Sequence, residues 1–358
     1  MNFPVSFLHI VSAGWSLSNE RGLYMSYRMK IYLGISICLT GLILSFSAGC
    51  NEQQQVQKAI DLYLDGVMLK ELGENEMAAQ KLNSAVVLDQ RLPMAYSMLG
   101  DIYQEQKDYQ KSAASYEKAT ELDPRSFEDY FNLGKVYQIM KKLSLAVKAY
   151  SRACELKPDH LEAHIYTAKS YFEIGDYNSA IAAASRAERI DPDVGEIQTM
   201  LGKMYESQKN YDQAIRSYKR ALEINSNDAG IMTSLAVVYL NTNRNEPAKE
   251  LFILATQTQP DNSTAYRYLG YCYLQLDEMN KAIESYIKAI EINDNDWEAH
   301  RGLGVAYLMK VIDETNEDEQ LKTELRTKAV RHWRKSLDLK PTQSHRERLL
   351  KYIKMYSK

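Results

Sequence analysis

The stretch that decides the fold is Pro93–Ser126, PMAYSMLGDIYQEQKDYQKSAASYEKATELDPRS. Stepping by 34 residues from Gly100 gives Gly66, Gly100, Gly134, Ala168, Gly202, Ala236, Gly270 and Gly304. The same step gives a tyrosine series, Tyr103, Tyr137, Tyr171, Tyr205, Tyr239, Tyr273 and Tyr307. Two further series are small: Ala78, Ser112, Ala146, Ala180, Ala214, Ala248, Ala282, and Ala85, Ala119, Ala153, Ala187, Ala221, Ala255, Ala289. A fixed period in this range implies stacked units, each too small to bury its own apolar face.

The unit reads as two helices. Tyr96, Leu99, Gly100 and Tyr103 share one helical face, and Ala113, Tyr116, Ala119 and Leu122 share another. Lys107–Asp108 makes the turn between them, and Asp123–Pro124 ends the second helix. Proline cannot continue a helix, and Pro158, Pro192 and Pro260 recur at the same point. Glycine within a helix costs roughly 1 kcal/mol against alanine, so its recurrence points to close helix packing.

This pattern resembles the tetratricopeptide repeat, on Tyr96, Leu99–Gly100, Tyr103, Ser112, Tyr116, Ala119 and Pro124, and again on Tyr130, Leu133–Gly134, Tyr137, Ala146, Tyr150, Ala153 and Pro158. The resemblance covers about residues 59–341. It implies an all-α, right-handed solenoid of about eight helical hairpins with a C-terminal capping helix. The expected repeats are 59–92, 93–126, 127–160, 161–194, 195–228, 229–262, 263–296 and 297–341, the last with an insertion. Departures are mild: Asp65 stands for Leu, and Gln90, Ser226 and Asp294 for Pro. The 35-residue pentatricopeptide class fits poorly, because the period stays at 34.

The chain has 358 residues, 45% of them hydrophobic and 25% charged, with a net charge of −3. No global basic field argues for nucleic acid. Residues 1–28 lack the repeat and read as an extension, or as an over-long gene start before Met29. Residues 29–49 follow Arg28 and carry Lys30 at their head, an apolar run from Ile31 to Phe46 and the exit Ser47-Ala48-Gly49. That order makes a secretory signal. Followed by Cys50, it resembles a bacterial lipoprotein lipobox, which implies lipidation of Cys50; Ser47 stands where the family prefers Leu. The alternative is an uncleaved transmembrane anchor, Ile31–Ala48. Both place the repeats outside the cytoplasm, on the periplasmic side or the outer membrane.

Residues 50–58 read as a short polar tether, spanning about 28 Å if its eight residues after the cysteine are extended. Cys154 and Cys272 lie too far apart in the array for a disulfide and read as buried, inert thiols. In the eighth repeat, Trp297, Leu303–Gly304 and Tyr307 open normally, while Ala329, Trp333, Ser336 and Pro341 arrive thirteen residues late. The insertion reads as one lengthened helix from about Glu317, and the first helix as extended toward Ile312. The acidic tip between them is a solvated helix start or a docking spur. Residues 342–358 read as a cap, in which Leu349, Leu350 and Ile353 cover the last repeat and Arg346, Arg348, Lys351 and Lys354 face water.

No catalytic, phosphate-binding or metal spacing appears, so neither an enzyme nor a cofactor nor a small-molecule substrate is expected. His164 and His300 sit at the large-residue position of their repeats and read as packing residues. Asn262-Ser263-Thr264 is a formal sequon at a repeat junction.

What remains is surface. Repeat positions 2, 5, 9 and 12 form a stripe beside the packing face of each first helix. In the tetratricopeptide family that stripe lines a concave groove for ligand segments. Here it implies a partner-binding groove of Lys135, Lys169, Lys203, Val237, Leu240, Arg267, Tyr271, Leu274, Arg301, Val305 and Leu308. The lysines either bind a partner or pair with Glu128, Glu162 and Glu196, seven residues earlier. The expected partner is a protein or peptide segment, acidic in one part and apolar in another, with the membrane reached through the lipid anchor. Two function classes stay open: a non-enzymatic envelope scaffold or adaptor, and a targeting or accessory subunit of an envelope enzyme or of a secretion or pilus-assembly complex.

Overall fold

A computed structural model of the chain describes residues 50–313 and 319–357. Among these residues every regular element is a helix. The signal-like segment and the acidic tip 314–318 lie outside the described residues. No helix among the described residues is long and apolar enough to cross a membrane.

The chain divides into two compact units, Met1–Gln90 and Arg91–Lys358. The first holds one hairpin, α1 (Cys50–Glu71) and α2 (Asn75–Leu88). The stretch 50–58, expected as an extended tether, is the opening of α1, helical and continuous with the first repeat. Its side chains are polar, but Gln, Glu and Lys are good helix formers, so nothing in them stops a helix seeded by the repeat from running back.

The second unit stacks the rest. Its hairpins are α3 (Pro93–Glu105) with α4 (Tyr109–Leu122), α5 (Phe127–Ile139) with α6 (Leu143–Leu156), and α7 (Leu161–Ile174) with α8 (Tyr177–Ile190). They continue as α9 (Gly195–Ser207) with α10 (Tyr211–Ile224), α11 (Ala229–Asn241) with α12 (Asn245–Thr258), and α13 (Ser263–Gln275) with α14 (Met279–Ile292). The last is α15 (Trp297–Asp313) with the long α16 (Glu319–Leu339), closed by α17 (Arg346–Tyr356). Each helix packs on the next along the chain, so the core is a continuous seam. The eight hairpins and the extra helix match the expected tetratricopeptide arrangement.

The small series are small because helices cross there. Ala78, Ala146, Ala180, Ala214, Ala248 and Ala282 are fully buried, as are Ala85, Ala119, Ala153, Ala187, Ala221, Ala255 and Ala289. Ser112 replaces alanine in its series and offsets the buried hydroxyl by donating to the Gly100 carbonyl at 2.8 Å. In the eighth hairpin Ala329 and Ser336 take these places, with no exposure. The insertion therefore lengthens α16 without disturbing its packing.

The turn between the helices of a hairpin is equally regular. Gly73, Lys107, Lys141, Gly175, Lys209, Asn243 and Asp277 all have positive φ, between 56° and 90°. This one left-handed residue reverses the chain. The following residue caps the second helix through its side chain at Asp108, Asp176 and Asn210, but not at Lys142 or Arg244.

The cap differs in detail from its expectation. Leu349 is buried and Ile353 half-buried, but Leu350 is exposed. Tyr352 takes part instead, its ring 5.6 Å from that of the fully buried Trp333. An aromatic one turn from Leu349 reaches further across the last hairpin than a leucine at 350, which points away.

Candidate functional site

The first helices α5, α7, α9, α11, α13 and α15 carry the expected groove residues. Lys135 lies 4.3 Å from the centre of the Phe131 ring, and Lys169 lies 5.4 Å from that of Tyr166. Lys169 also pairs with Glu196 at 2.6 Å. The pairing seven residues back does not occur, because two helical turns separate those residues by about 10 Å. Lys169, at position 9 of its repeat, instead faces position 2 of the next. Glu128 is taken by Lys157 at 2.7 Å. Lys203 is exposed and has no ion pair among the described residues. Lys135 likewise has no ion pair among the described residues, and only Lys169 of the three is paired.

Val237 and Leu240 are half-buried and pack on the core of repeats five to seven. Val305 and Leu308 do the same around α15. Leu274 is 6% exposed and belongs to that core. The apolar half of the stripe is thus mostly structural wall.

One part of the stripe does converge. Arg267, Tyr271, Leu274, Arg301 and Val305 line a single cavity of about 330 Å³ between α13 and α15, floored by Tyr286 of α14. Tyr271 is 45% exposed at its edge. Arg267 is bound on both sides, by Asp296 at 3.0 Å and by Glu298. Arg301 has no carboxylate partner among the described residues. Its guanidinium lies 5.0 Å from the Trp297 ring centre and 3.1 Å from His345 Nδ1. Burial raises the pKa of the Tyr286 hydroxyl, so it stays a neutral donor. The lining therefore offers apolar wall and hydrogen-bond donors, with one cation unmatched.

Tyr286 and Gly302 belong to this cavity and were not singled out by the stripe. The signal was present: position 6 is Leu64, Met98, Asn132, Tyr166, Met200, Ser234 and Tyr268 in the other copies, and only Gly302 lacks a side chain.

A second cavity, about 550 Å³, opens among α6, α7 and α8 beside Cys154, His164 and Arg186. His164 is buried, with Nε2 3.0 Å from the Pro158 carbonyl and Nδ1 unpartnered. His300 repeats the first contact on Asp294, 3.0 Å away. Both are packing residues, as their repeat position implies. Cys272 is buried, and burial pushes its thiol up to about 12. Cys154 is only half-buried, held 3.6 Å from the Thr167 hydroxyl. Both are free thiols.

Family models match much of this array. A model described as TPR repeat matches residues 100–141 and 272–311. Two described as Tetratricopeptide repeat match 206–269, and 131–195 with 167–229. Among solved structures, a chain of the APC/C hetero-tetramer Cut9–Hcn1 is 19% identical, with 81% of this chain and 55% of that one covered and a TM-score of 0.50. YrrB, titled a TPR protein with an unusual peptide-binding site, is 24% identical, with 52% and 96% covered and a TM-score of 0.46. A tetratricopeptide repeat protein from Parabacteroides merdae is 18% identical, with 70% and 99% covered and a TM-score of 0.46. No curated protein matches the sequence.

Proposed function

We propose, for a chain whose residues between 100 and 311 are tetratricopeptide repeats, a role as a protein–protein interaction scaffold of the bacterial cell envelope, held to its membrane at Cys50. An elongated partner segment lies along the face formed by successive first helices. It meets the exposed Lys203 in the middle of the array and the cavity between α13 and α15 toward its end. The observation that carries this reading is the convergence of Arg267, Tyr271, Leu274, Arg301 and Val305 on one cavity. A stack of packing surfaces needs no such opening on the face where first helices adjoin.

The anchor is supported by the order of charge, apolar run, small residues and Cys50 in the sequence. Stable membrane residence takes two acyl chains, because one gives only marginal binding. The scaffold has no need of chemistry of its own. Its affinity comes from several modest contacts along the stack.

Cell fractionation tests the anchor. The wild-type chain should sediment with membranes and incorporate labelled palmitate. Cys50→Ser should incorporate none. A wild-type chain that takes up no palmitate yet remains with membranes would replace the lipid with a helical anchor.

A further inference from the structure

Counting from the first residue of each repeat, and allowing for the insertion in the eighth, position 26 is basic in six copies: Lys118, Arg152, Arg186, Arg220, Lys288 and Lys335. All but Arg186 meet a carboxylate. In repeats two, three, five and seven it is the glutamate one turn on, at position 29. Lys118 pairs with Glu121 at 2.8 Å, Arg152 with Glu155 at 2.7 Å, Arg220 with Glu223 at 3.0 Å and Lys288 with Glu291 at 3.1 Å. In repeat eight Lys335 reaches back 3.0 Å to Asp294, at position 32 of the repeat before. Repeat four lacks both partners. Its position 29 is Arg189, and position 32 of the repeat before is Pro158. Asp159 corresponds to Asp193, which also takes Arg220 at 3.1 Å, but it makes no ion pair with Arg186 among the described residues. The nearby carboxylates are engaged elsewhere: Glu155 by Arg152, and Glu188 by the Gln198 amide at 2.7 Å. Arg189 donates through Nε to the Ser185 carbonyl at 3.3 Å. Two exposed like charges one turn apart repel, and no carboxylate among the described residues relieves them.

Both arginines line the cavity of about 550 Å³ among α6, α7 and α8. The charge of Arg186 reaches α6, where burial raises the Cys154 thiol pKa and Thr167 and Arg186 oppose the rise. The cavity lies where repeat four is pared down. In repeat eight, position 23 is His332, whose Nδ1 meets that of His300 at 2.9 Å. His164 occupies the place of His300 and makes the same Nε2 contact at 3.0 Å, to the Pro158 carbonyl. Position 23 of its own repeat is only Ala183, and the His164 Nδ1 has no partner. Ala182 and Ala184 flank Ala183, where repeat five carries Arg216 and Tyr218. The cavity extends from the arginines to His164 and Ala183, with Pro158, Tyr171 and Ile190 as further wall.

We propose that this cavity binds a small dicarboxylate. One carboxylate pairs with Arg186, in the role that the position-29 glutamate has in four other repeats. The second pairs with Arg189, and the carbon chain between them lies against the apolar wall. Two carboxylates follow from two cations that no acidic side chain matches. The internal copies mark the class of anion, because the partner they supply at this point is a carboxylate each time. A small molecule follows from the volume, which falls within the range of about 300–1,000 Å³ usual for such pockets. The site lies between second helices and is independent of the partner-binding reading of the first-helix face.

The test is isothermal titration calorimetry of the full chain, in nonionic detergent at low ionic strength, with succinate as probe. Exposed ion pairs are individually weak, so a dissociation constant of about 1 mM is expected. Butyrate keeps the chain length with one carboxylate and should bind about tenfold more weakly, as should inorganic phosphate. Arg189→Glu recreates the pair of the sibling repeats. It should weaken succinate about tenfold while the denaturation midpoint holds or rises. Lys219→Glu makes the same charge change on α10 and should leave succinate binding unaltered. Ala183→His places the repeat-eight imidazole in the cavity and should block succinate with both arginines intact. Butyrate or phosphate binding as tightly as succinate would overturn the proposal. So would binding unchanged by Arg189→Glu or Ala183→His, an equal loss in Lys219→Glu, or no binding at about 10 mM succinate.

Discussion

The Tyr116 ring lies so close against Gly100 that a Cβ on the glycine would stand 2.6 Å from it. Gly134 and Tyr150, and Gly202 and Tyr218, repeat the relationship, with built Cβ atoms 2.5 and 2.6 Å from the ring. Where position 24 shrinks to Ala184, position 8 is Ala168. The glycine thus accompanies the tyrosine ring and not a turn, whereas the Phe252 ring stands with Ala236 at position 8.

That dependence is measurable as a cycle. Gly100→Ala adds a methyl to a full site and should destabilise by about 2 kcal/mol, even though alanine is the better helix former. In a Tyr116→Ala background the methyl has room, and the same change should be neutral or stabilising by a few tenths of a kcal/mol. Urea denaturation of the four proteins gives the coupling. Equal costs in both backgrounds would mean that the ring and the glycine are energetically independent.

The left-handed turn residue offers the opposite kind of change. Lys141 has φ 59° and Asn243 φ 58°. A non-glycine residue there costs roughly 1–2 kcal/mol, of which glycine recovers part after its own entropic cost. Lys141→Gly should stabilise the array by about 0.5 kcal/mol, and Asn243→Gly by less, because asparagine tolerates this conformation. Denaturation midpoints that fall in both variants would show that the lysine makes a contact worth more than the strain.

Much of this was legible in the sequence, because a period of 34 fixes which residues share a face. Gly100, Ala113, Ala119 and the turn at Lys107 all stand where the pattern puts them. What one helix's pattern cannot show is how neighbouring helices align. Lys169 pairs forward to Glu196, in the next repeat, and not back along its own helix. Leu274 shares the stripe with Tyr271, yet one side chain is 6% exposed and the other 45%. The cavity over Tyr286 depends on an absence, Gly302, which carries meaning only when set against the same position in the other copies.

Acid should find the eighth hairpin first. His332 Nδ1 lies 2.9 Å from His300 Nδ1. In the neutral pair His300 donates through Nε2 to the Asp294 carbonyl, so the shared proton belongs to His332. Burial, His300 and Arg331 hold the His332 pKa down at about 4, with Asp294 opposing. The folded chain thus stays neutral where the unfolded chain takes up a proton. Its stability is full above about pH 6.5 and falls as pH drops toward 4, by up to about 2 kcal/mol. His332→Gln should flatten this loss when denaturation is compared at pH 7.5 and pH 4.5. An unchanged acid limb would assign the loss to other groups.

The central claim is that a partner lies along the face of the first helices, and site-specific photo-crosslinking in intact cells tests it most directly. A benzophenone amino acid placed at Lys203, Tyr271 or Arg301 should crosslink to one and the same partner. At Lys219 or Lys288, exposed on second helices, it should not. Lys203→Glu should reduce the yield at Tyr271 more strongly at low than at high ionic strength, because an exposed charge acts mainly on association. A common partner at the three first-helix positions, with none at the second-helix positions, is the predicted result. Crosslinks confined to Lys219 and Lys288 would contradict it.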